Sequence, residues 1–123
     1  MIWVGLNAAR AIHTRLLAEH GGIQGERDVG AIESALARPQ NMAAYGGDCD
    51  LFDLAAAYAF GLARNHGFVD GNKRTAYAVA NAFLVANGKH PRHRQADVVL
   101  TVGLIAVGEM SEAQIAAWLR KGL

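Results

Sequence analysis

Apolar residues recur every three or four positions along almost the whole chain, and this spacing constrains the fold more than any other feature. Such spacing is typical of amphipathic helices. Strand-like alternation of apolar and polar residues is confined to a short stretch at residues 2–4. The chain has 123 residues, which is enough for one hydrophobic core. We therefore predict an all-α fold in a single compact domain, residues 1–123, with about six helices.

The first two helices are predicted from caps and stop signals. Helix one covers residues 6–20 and ends at a glycine pair, which tolerates a left-handed helix end. Its predicted inward residues are Ala9, Ile12 and Leu16. Asp28 can cap the second helix. This helix is predicted to be short and to end at Arg38-Pro39, because the residue before a proline avoids helical geometry.

The remaining helices follow from similar signals. Asp50 can cap a third helix, which carries a long apolar face and should lie at the centre of the fold. A fourth covers residues 73–87 and ends at a glycine, and a fifth, apolar enough to be buried, covers residues 96–107. Ser111 and Gln114 have the spacing of a capping box, so a sixth helix is predicted to begin there.

Charge and composition exclude several classes of protein. Twelve Lys and Arg balance eleven Asp and Glu, and no helix carries a basic stripe, so we expect no direct nucleic-acid contact. The longest apolar run, residues 98–108, is shorter than the ~18 residues of a membrane span, so no membrane insertion is expected. A lone cysteine, Cys49, and an N-terminus without a leader pattern predict a cytoplasmic protein.

The segment between the third and fourth predicted helices, residues 65–74, carries the residues best suited to chemistry. One interpretation of this segment is purely structural. Asp70-Gly71 would form the bend, Asn72 would cap the next helix, and Phe68 would fill the core. Each of these residues, taken singly, fits such a turn.

Two cations in the same segment favour a different interpretation. Lys73 and Arg74 fall in the first helical turn, where the helix dipole disfavours each by about 0.3–1 kcal/mol. Both become favourable if a phosphate binds beside the free amides, and Gly71 lets the backbone approach it closely. Asp70 is a suitable oxygen ligand for Mg²⁺ that bridges phosphates. His66, of the residue type that titrates near neutral pH, can accept a proton from a hydroxyl nucleophile. We therefore favour phosphate chemistry over a purely structural turn.

The motif at residues 66–74 reads His-Gly-Phe-Val-Asp-Gly-Asn-Lys-Arg. It resembles the signature of the Fic/Doc family, and its lysine-containing form resembles the death-on-curing (Doc) toxins of type II toxin–antitoxin modules. The similarity extends to chain length, helical order, the region of Tyr45 and the Gly108-Glu109 stretch before the last helix. The motif is highly specific, whereas the flanking similarity alone is weak.

The resemblance implies a function and two alternatives to it. Doc-type relatives are Mg²⁺-dependent protein kinases that transfer the γ-phosphate of ATP to a threonine of translation elongation factor Tu and so inhibit translation. Fic proteins that transfer AMP usually have a glycine where this chain has Lys73, and a lysine should fill the space of their nucleotide's phosphates. Transfer of AMP to a protein hydroxyl is one alternative. The other is a catalytically weak module that only binds its antitoxin.

The resemblance also implies roles for single residues. It makes His66 the catalytic base, Asp70 the magnesium ligand and Phe68 the structural anchor of the loop. Nucleotide or phosphate binding falls to Gly71, Asn72, Lys73 and Arg74. Gly67 stands where many relatives have proline, and a glycine there predicts a looser loop.

Three residues outside the motif are candidates for substrate contact or support: Arg64, Asn81 and Tyr45. Arg64 lies just before the motif and can reach a phosphate, although a cation at a helix end is also ordinary. Asn81 shares a helical face with Arg74. Tyr45 can belong to the flap that positions target peptides in the family that the chain resembles. For Asn81 and Tyr45 the ordinary alternatives are a surface role and a cover over the core.

Histidines outside the motif receive ordinary interpretations. His90 and His93 have a spacing that could bind zinc, but nothing else completes such a site, so a solvated basic loop is favoured. His13 and His20, on the first helix, are interpreted as surface or internally satisfied histidines rather than ligands.

We expect a separate protein chain to inhibit the activity. Self-inhibiting Fic proteins carry a Ser/Thr-x-x-x-Glu motif, and no Ser or Thr of this sequence has Glu at that spacing. The resemblance implies a Phd-like antitoxin whose C-terminal segment folds into a groove on the toxin. The apolar content of the chain is compatible with a groove for an amphipathic helix, although no location is predicted.

Overall fold

The computed structural model describes residues 1–122 and contains six α-helices there, in agreement with the helical periodicity of the sequence. The helices are α1 (Leu6–His20), α2 (Val29–Tyr45), α3 (Leu51–Asn65), α4 (Asn72–Ala86), α5 (Gln95–Ala106) and α6 (Glu112–Arg120). Strand-like pairing within the described residues is limited to one isolated bridge, between Glu26 and Phe68. The all-α prediction is therefore confirmed, and residues 2–4 form no strand.

The third helix lies at the centre, as predicted, because α2, α4, α5 and α6 all pack on it. Most of its buried residues are small, and small side chains let neighbouring helices approach closely. Gly61 is the clearest case. A Cβ built on it would lie 3.0 Å from the Cβ of Ala35, so α2 and α3 are in near backbone contact there.

The second helix is longer than predicted. It continues through Pro39 to Tyr45, so the predicted end at Arg38-Pro39 is wrong. A proline inside a helix lacks the N–H that would bond to the preceding turn. Here the ring of Pro39 is buried, and Met42 packs against the core one turn further on. Burial of these apolar groups on α3 outweighs the lost hydrogen bond.

The inward face of α1 also differs from the predicted one. Ala9 is buried as expected, but the other buried positions are His13 and Leu17, while Ile12 and Leu16 are only partly covered. Residues four apart lie on one helical face, so a small rotation of α1 about its axis buries His13 and Leu17 in place of Ile12 and Leu16. The change brings His13 into the interior.

Caps end and begin the helices largely as expected. Asp50 and Ser111 both form complete capping boxes, which confirms the predicted starts of α3 and α6.

No helix within residues 1–122 is both long and apolar enough to cross a membrane.

The connection between α1 and α2 lies beside the loop that joins α3 to α4. Two backbone amides, those of Arg27 and Asp28, donate to the Gly67 carbonyl at 2.8 and 3.0 Å. The amide of Val69 in turn donates to the Gly25 carbonyl at 3.0 Å. These bonds tie the motif segment to a part of the chain that lies some forty residues earlier in the sequence.

Candidate active site

The motif begins at the C-terminal end of α3 with a residue in an unusual backbone conformation. His66 has φ 49° and ψ 45°, and it is the only non-glycine residue in the described chain with a positive φ. A left-handed conformation at a residue with a side chain costs about 1 kcal/mol or more. His66 is exposed and caps α3, so the strained turn directs the chain into the loop and leaves the imidazole accessible to solvent.

A cavity of about 360 Å³ opens at the N-terminus of α4. Its lining residues are His66, Val69, Asp70, Gly71, Asn72, Lys73, Arg74, Val99 and Val102. The structure therefore brings together six of the predicted site residues, and α5 contributes two valines as an apolar wall. Cavities that bind small molecules start at about 300 Å³, so part of a nucleotide fits this volume.

Asp70 is held by backbone hydrogen bonds on both carboxylate oxygens. Oδ2 accepts from the Ile23 amide at 3.0 Å and Oδ1 accepts from the Gly71 amide at 2.8 Å. These two bonds, Ile23 first, lower the pKa of Asp70 below its ordinary value, and the charge of Arg74 acts in the same direction. The exposed carboxylate is therefore ionised at neutral pH. Each oxygen keeps a free lone pair, so the group can still coordinate a cation.

The loop that supplies the Ile23 amide approaches Asp70 closely. Gly22 has φ 131°, and a Cβ built on it would lie 2.9 Å from the Asp70 Oδ2. The short distance and the positive φ both require glycine at this position.

The two cations of the motif are exposed in the first turn of α4. Neither Lys73 nor Arg74 forms an ion pair with a carboxylate anywhere in residues 1–122. The residue that precedes the helix, Gly71, has φ 79° and provides no side-chain cap. Free amides, a helix dipole and two cations thus meet at one end of the cavity, an arrangement that attracts an anion.

Asn72 does not cap α4, so that part of the purely structural interpretation is wrong. Its side chain turns back to Phe68, where Oδ1 accepts from the amide at 3.0 Å and Nδ2 donates to the carbonyl at 2.9 Å. The Asn72 group left to meet a phosphate is its backbone amide. Phe68 itself is 1 % exposed and fills the core, as expected of an anchor.

Gly67 occupies a tightly packed position, whereas its residue type predicts a looser loop. A Cβ at this residue would collide with the Ile32 side chain and lie 3.1 Å from the Asp28 carbonyl oxygen. The same residue accepts two backbone hydrogen bonds from Arg27 and Asp28, directly before α2. A side chain at residue 67 would therefore force Ile32 to shift, and the segment next to His66 is held in the folded state.

The three candidates outside the motif do not line its cavity. Arg64 lies against Gly108, with its guanidinium 6.0 Å from the centre of the Phe60 ring. Asn81 Oδ1 is buried and has no hydrogen-bond partner within the described chain. Tyr45 is 89 % exposed at the end of α2, beside a separate cavity of about 570 Å³ between α2 and α3.

Of the two interpretations that the sequence left open for His13, the structure confirms an internally satisfied histidine, but sequence reasoning did not connect it with the motif. Its imidazole is 5 % exposed, stacks on Phe68 and lies 2.7 Å from the Asp70 carbonyl oxygen, measured from Nε2. The available signal was its position on the helical face between Ala9 and Leu17, four residues from each.

Comparison with known proteins finds similarity over most of the chain. The model of the Fic/DOC family matches residues 3–84. Protein kinase doc of Escherichia phage P1 is 39% identical over 111 residues, which are 90% of this chain and 87% of that protein. Toxin Doc of Mycolicibacterium smegmatis is 53% identical over 70 residues, 55% of this chain and 53% of that protein.

Proposed function

The chain belongs to the Fic/DOC family, and we propose that it is the Doc-type toxin of a toxin–antitoxin module and acts as a Mg²⁺-dependent protein kinase. Its proposed reaction transfers the γ-phosphate of ATP to a threonine of translation elongation factor Tu in the cytoplasm, which inhibits translation. The phage P1 relative supports the kinase activity, because its name is Protein kinase doc and the similarity covers most of both chains.

The observation that carries the proposal is the composition of the cavity at the start of α4. An exposed histidine, an ionised carboxylate and two cations without carboxylate partners in residues 1–122 all line the same space of about 360 Å³. Phosphoryl transfer needs mainly positioning and charge neutralisation, together with a residue that accepts the proton of the nucleophile. Residues 66–74 supply these groups.

The donor set fits Mg²⁺. Within residues 1–122 there is no cluster of three or more His, Cys, Asp and Glu side chains that would cage a metal. Mg²⁺ that serves phosphate chemistry is typically held by one or two carboxylates, phosphate oxygens and water. Asp70, ionised and exposed, would be the carboxylate ligand. When bound, the ion neutralises charge on the phosphates of ATP.

The roles of the chain's own residues follow from this arrangement. His66 accepts the proton of the threonine hydroxyl as the hydroxyl oxygen bonds to the γ-phosphorus. The bond from that phosphorus to the oxygen bridging the β- and γ-phosphates breaks, and ADP leaves. Lys73, Arg74 and the first amides of α4 stabilise the negative charge of the transferring group.

The proposed partner is a Phd-like antitoxin whose C-terminal segment binds in a groove of the toxin. Support comes from the names of the relatives, which include Toxin Doc, and from the missing Ser/Thr-x-x-x-Glu motif. Co-expression with a small open reading frame, if one lies directly upstream of the gene, tests this partner. A stable complex that restores growth is expected, and a toxin that remains active in that complex would contradict the proposal.

The experiment that tests the activity is label transfer to purified elongation factor Tu with Mg²⁺. Matched reactions contain ATP labelled at the γ- or the α-phosphate. His66→Ala removes the proposed proton acceptor, and His90→Ala is the control, because His90 is an exposed histidine in the loop after α4. Label from the γ-position alone, lost in His66→Ala and kept in His90→Ala, is the expected result.

Other outcomes each point to a different function. Label from the α-position would make the protein an AMP transferase in spite of Lys73. No label from either position, with toxicity unchanged in His66→Ala, would make it a binding module that acts without catalysis.

A further inference from the structure

We propose that His13, on α1, is a positioning residue that fixes the orientation of Asp70 for the metal and the nucleotide. This inference rests on the proposed kinase function. His13 lies more than fifty residues from the motif in sequence, yet it contacts Asp70 and Phe68 of the loop that forms the cavity and lies close to Gly71.

The hydrogen bond between His13 and Asp70 has a defined direction. The Asp70 carbonyl has no hydrogen, so the His13 Nε2, 2.7 Å away, must carry the proton and donate it. The ring is 5 % exposed, and a buried hydrogen bond without competing water holds its geometry well. His13 thus fixes the main chain of Asp70 rather than its carboxylate.

That carbonyl belongs to the peptide group that sets the turn before α4. On the other side of the same group, the Gly71 amide donates to Asp70 Oδ1 at 2.8 Å. The peptide between Asp70 and Gly71 is therefore bound at both its oxygen and its nitrogen. Without the hydrogen bond from His13 to the Asp70 carbonyl oxygen, this peptide could rotate. The Asp70 carboxylate would then turn with the Gly71 amide, to which it is hydrogen-bonded.

The packing of the His13 ring, like its hydrogen bond, holds the loop in place. The imidazole stacks on the Phe68 ring, with 3.8 Å between ring centres and 12° between planes. A Cβ built on Gly71 would lie 3.6 Å from the His13 ring, so the turn also rests against it. The loop from Phe68 to Gly71 thus packs on the side chain of His13, next to Asp70, the proposed metal ligand.

A residue that served packing alone would need no donor. An aromatic hydrocarbon would fill the space beside Phe68 but would leave the Asp70 carbonyl without its partner. Two substitutions separate these contributions. His13→Phe keeps a ring for stacking and removes the donor, whereas His13→Gln keeps a donor near the position of Nε2 and removes the ring.

The test combines amide hydrogen exchange by NMR with label transfer. The amides of Ile23 and Gly71 report the position of the Asp70 carboxylate directly, because each donates to one of its oxygens. In His13→Phe we expect both amides to exchange faster than in wild type and label transfer to fall about tenfold or more, as for other residues that orient metal ligands. In His13→Gln we expect both amide exchange and label transfer to return towards the wild-type values, because a donor to the Asp70 carbonyl is restored.

Ile12→Ala is the matched control for lost stability. Ile12 is the preceding residue of the same helix, is half-buried and packs on the core. This variant should unfold at a lower temperature with unchanged exchange at Ile23 and Gly71 and unchanged transfer. Faster exchange at both amides in Ile12→Ala would overturn the proposal, as would wild-type exchange in His13→Phe.

The two proposals fail in distinguishable ways. If the wild-type protein transfers no label to elongation factor Tu, the kinase proposal fails. The exchange of the two amides requires no substrate, so it still decides whether His13 positions Asp70.

Discussion

The side chain of Asn72 hydrogen-bonds to both backbone groups of Phe68, with Oδ1 3.0 Å from the amide nitrogen and Nδ2 2.9 Å from the carbonyl oxygen. One side chain thus closes residues 68–72 into a turn, and the buried Phe68 ring fixes that turn in the core. Asp70 lies at the middle of this closed segment. The position of the proposed metal ligand therefore depends on a residue whose side chain is bonded to the backbone of Phe68.

We expect Asn72→Ala to destabilise the protein by about 1–2 kcal/mol, because two hydrogen bonds are lost and the Phe68 amide and carbonyl keep no side-chain partner. Urea unfolding measures this change. Label transfer should fall by about a hundredfold, since small displacements of positioning groups have effects of that size. Asn72→Asp, which keeps the acceptor and removes the donor, should be intermediate in stability. Wild-type activity in Asn72→Ala would show that the turn plays no part in positioning Asp70.

Gly67→Ala should destabilise the fold by about 1–3 kcal/mol, because the added methyl group collides with Ile32. Gly103→Ala is the matched control. Gly103 lies inside α5, where a Cβ meets nothing within 4 Å, so this change should stabilise by about 0.5–1 kcal/mol. Thermal unfolding of the two variants should thus shift in opposite directions.

A double variant identifies the cause of the Gly67→Ala effect. Ile32→Ala removes the colliding side chain, so Gly67→Ala combined with Ile32→Ala should be less destabilised than the sum of the single changes. Strict additivity would mean that the collision with Ile32 is not the cause.

Local signals in the sequence predicted most of the helices. The capping boxes at Asp50 and Ser111 involve residues three positions apart, so they are visible without knowledge of the fold. The bounds of α1 agree with the prediction for the same reason, since Gly21 follows its last residue directly. The cluster at residues 66–74 was equally accessible, because its members are neighbours in the chain.

Contacts between distant segments could not be predicted in this way. Pro39 signals a helix end locally, but its burial in the core reverses that preference. Gly67 was expected to loosen its loop, but it packs so closely on Ile32 that a Cβ there would force this side chain to shift. Likewise, His13 has no local partner, and its hydrogen bond to Asp70 exists only once α1 packs beside the motif.

Tyr58→Phe should lower the free energy of unfolding by about 1–3 kcal/mol, because a buried backbone group loses its partner. The Tyr58 hydroxyl accepts from the Val4 amide at 2.9 Å and lies 3.3 Å from the Val4 carbonyl oxygen. Chemical denaturation measures the change. Tyr45→Phe, at an exposed position, should stay within about 0.5 kcal/mol of wild type. Equal effects of the two substitutions would rule out the proposed role of the Val4 contact.

The free energy of unfolding should decrease in acid, because Glu26 becomes protonated. Arg10 bonds to both of its carboxylate oxygens, at 2.7 and 2.8 Å, and this hydrogen bonding lowers the pKa of Glu26 in the folded state. A lowered carboxyl pKa adds stability that is fully present above the unfolded value of about 4.3 and is lost as the pH falls through the folded value. Glu26→Gln should therefore differ most from wild type near neutral pH and converge with it in acid. Urea unfolding across this range would contradict the assignment if the difference were independent of pH.

Lys73→Gln should make the protein more stable and less active. The cation lies in the first turn of α4, where the helix dipole is unfavourable, so its removal should stabilise the fold by about 0.3–1 kcal/mol. Label transfer should fall, because a charge that neutralises the transferring phosphate is lost. Lys89→Gln applies the same substitution just beyond the other end of the helix, where a cation is favourable, and should slightly destabilise the protein without changing transfer. Loss of stability in Lys73→Gln would mean that Lys73 supports the fold, whereas a gain in stability with loss of transfer would show that the chain keeps an unfavourable charge for its activity.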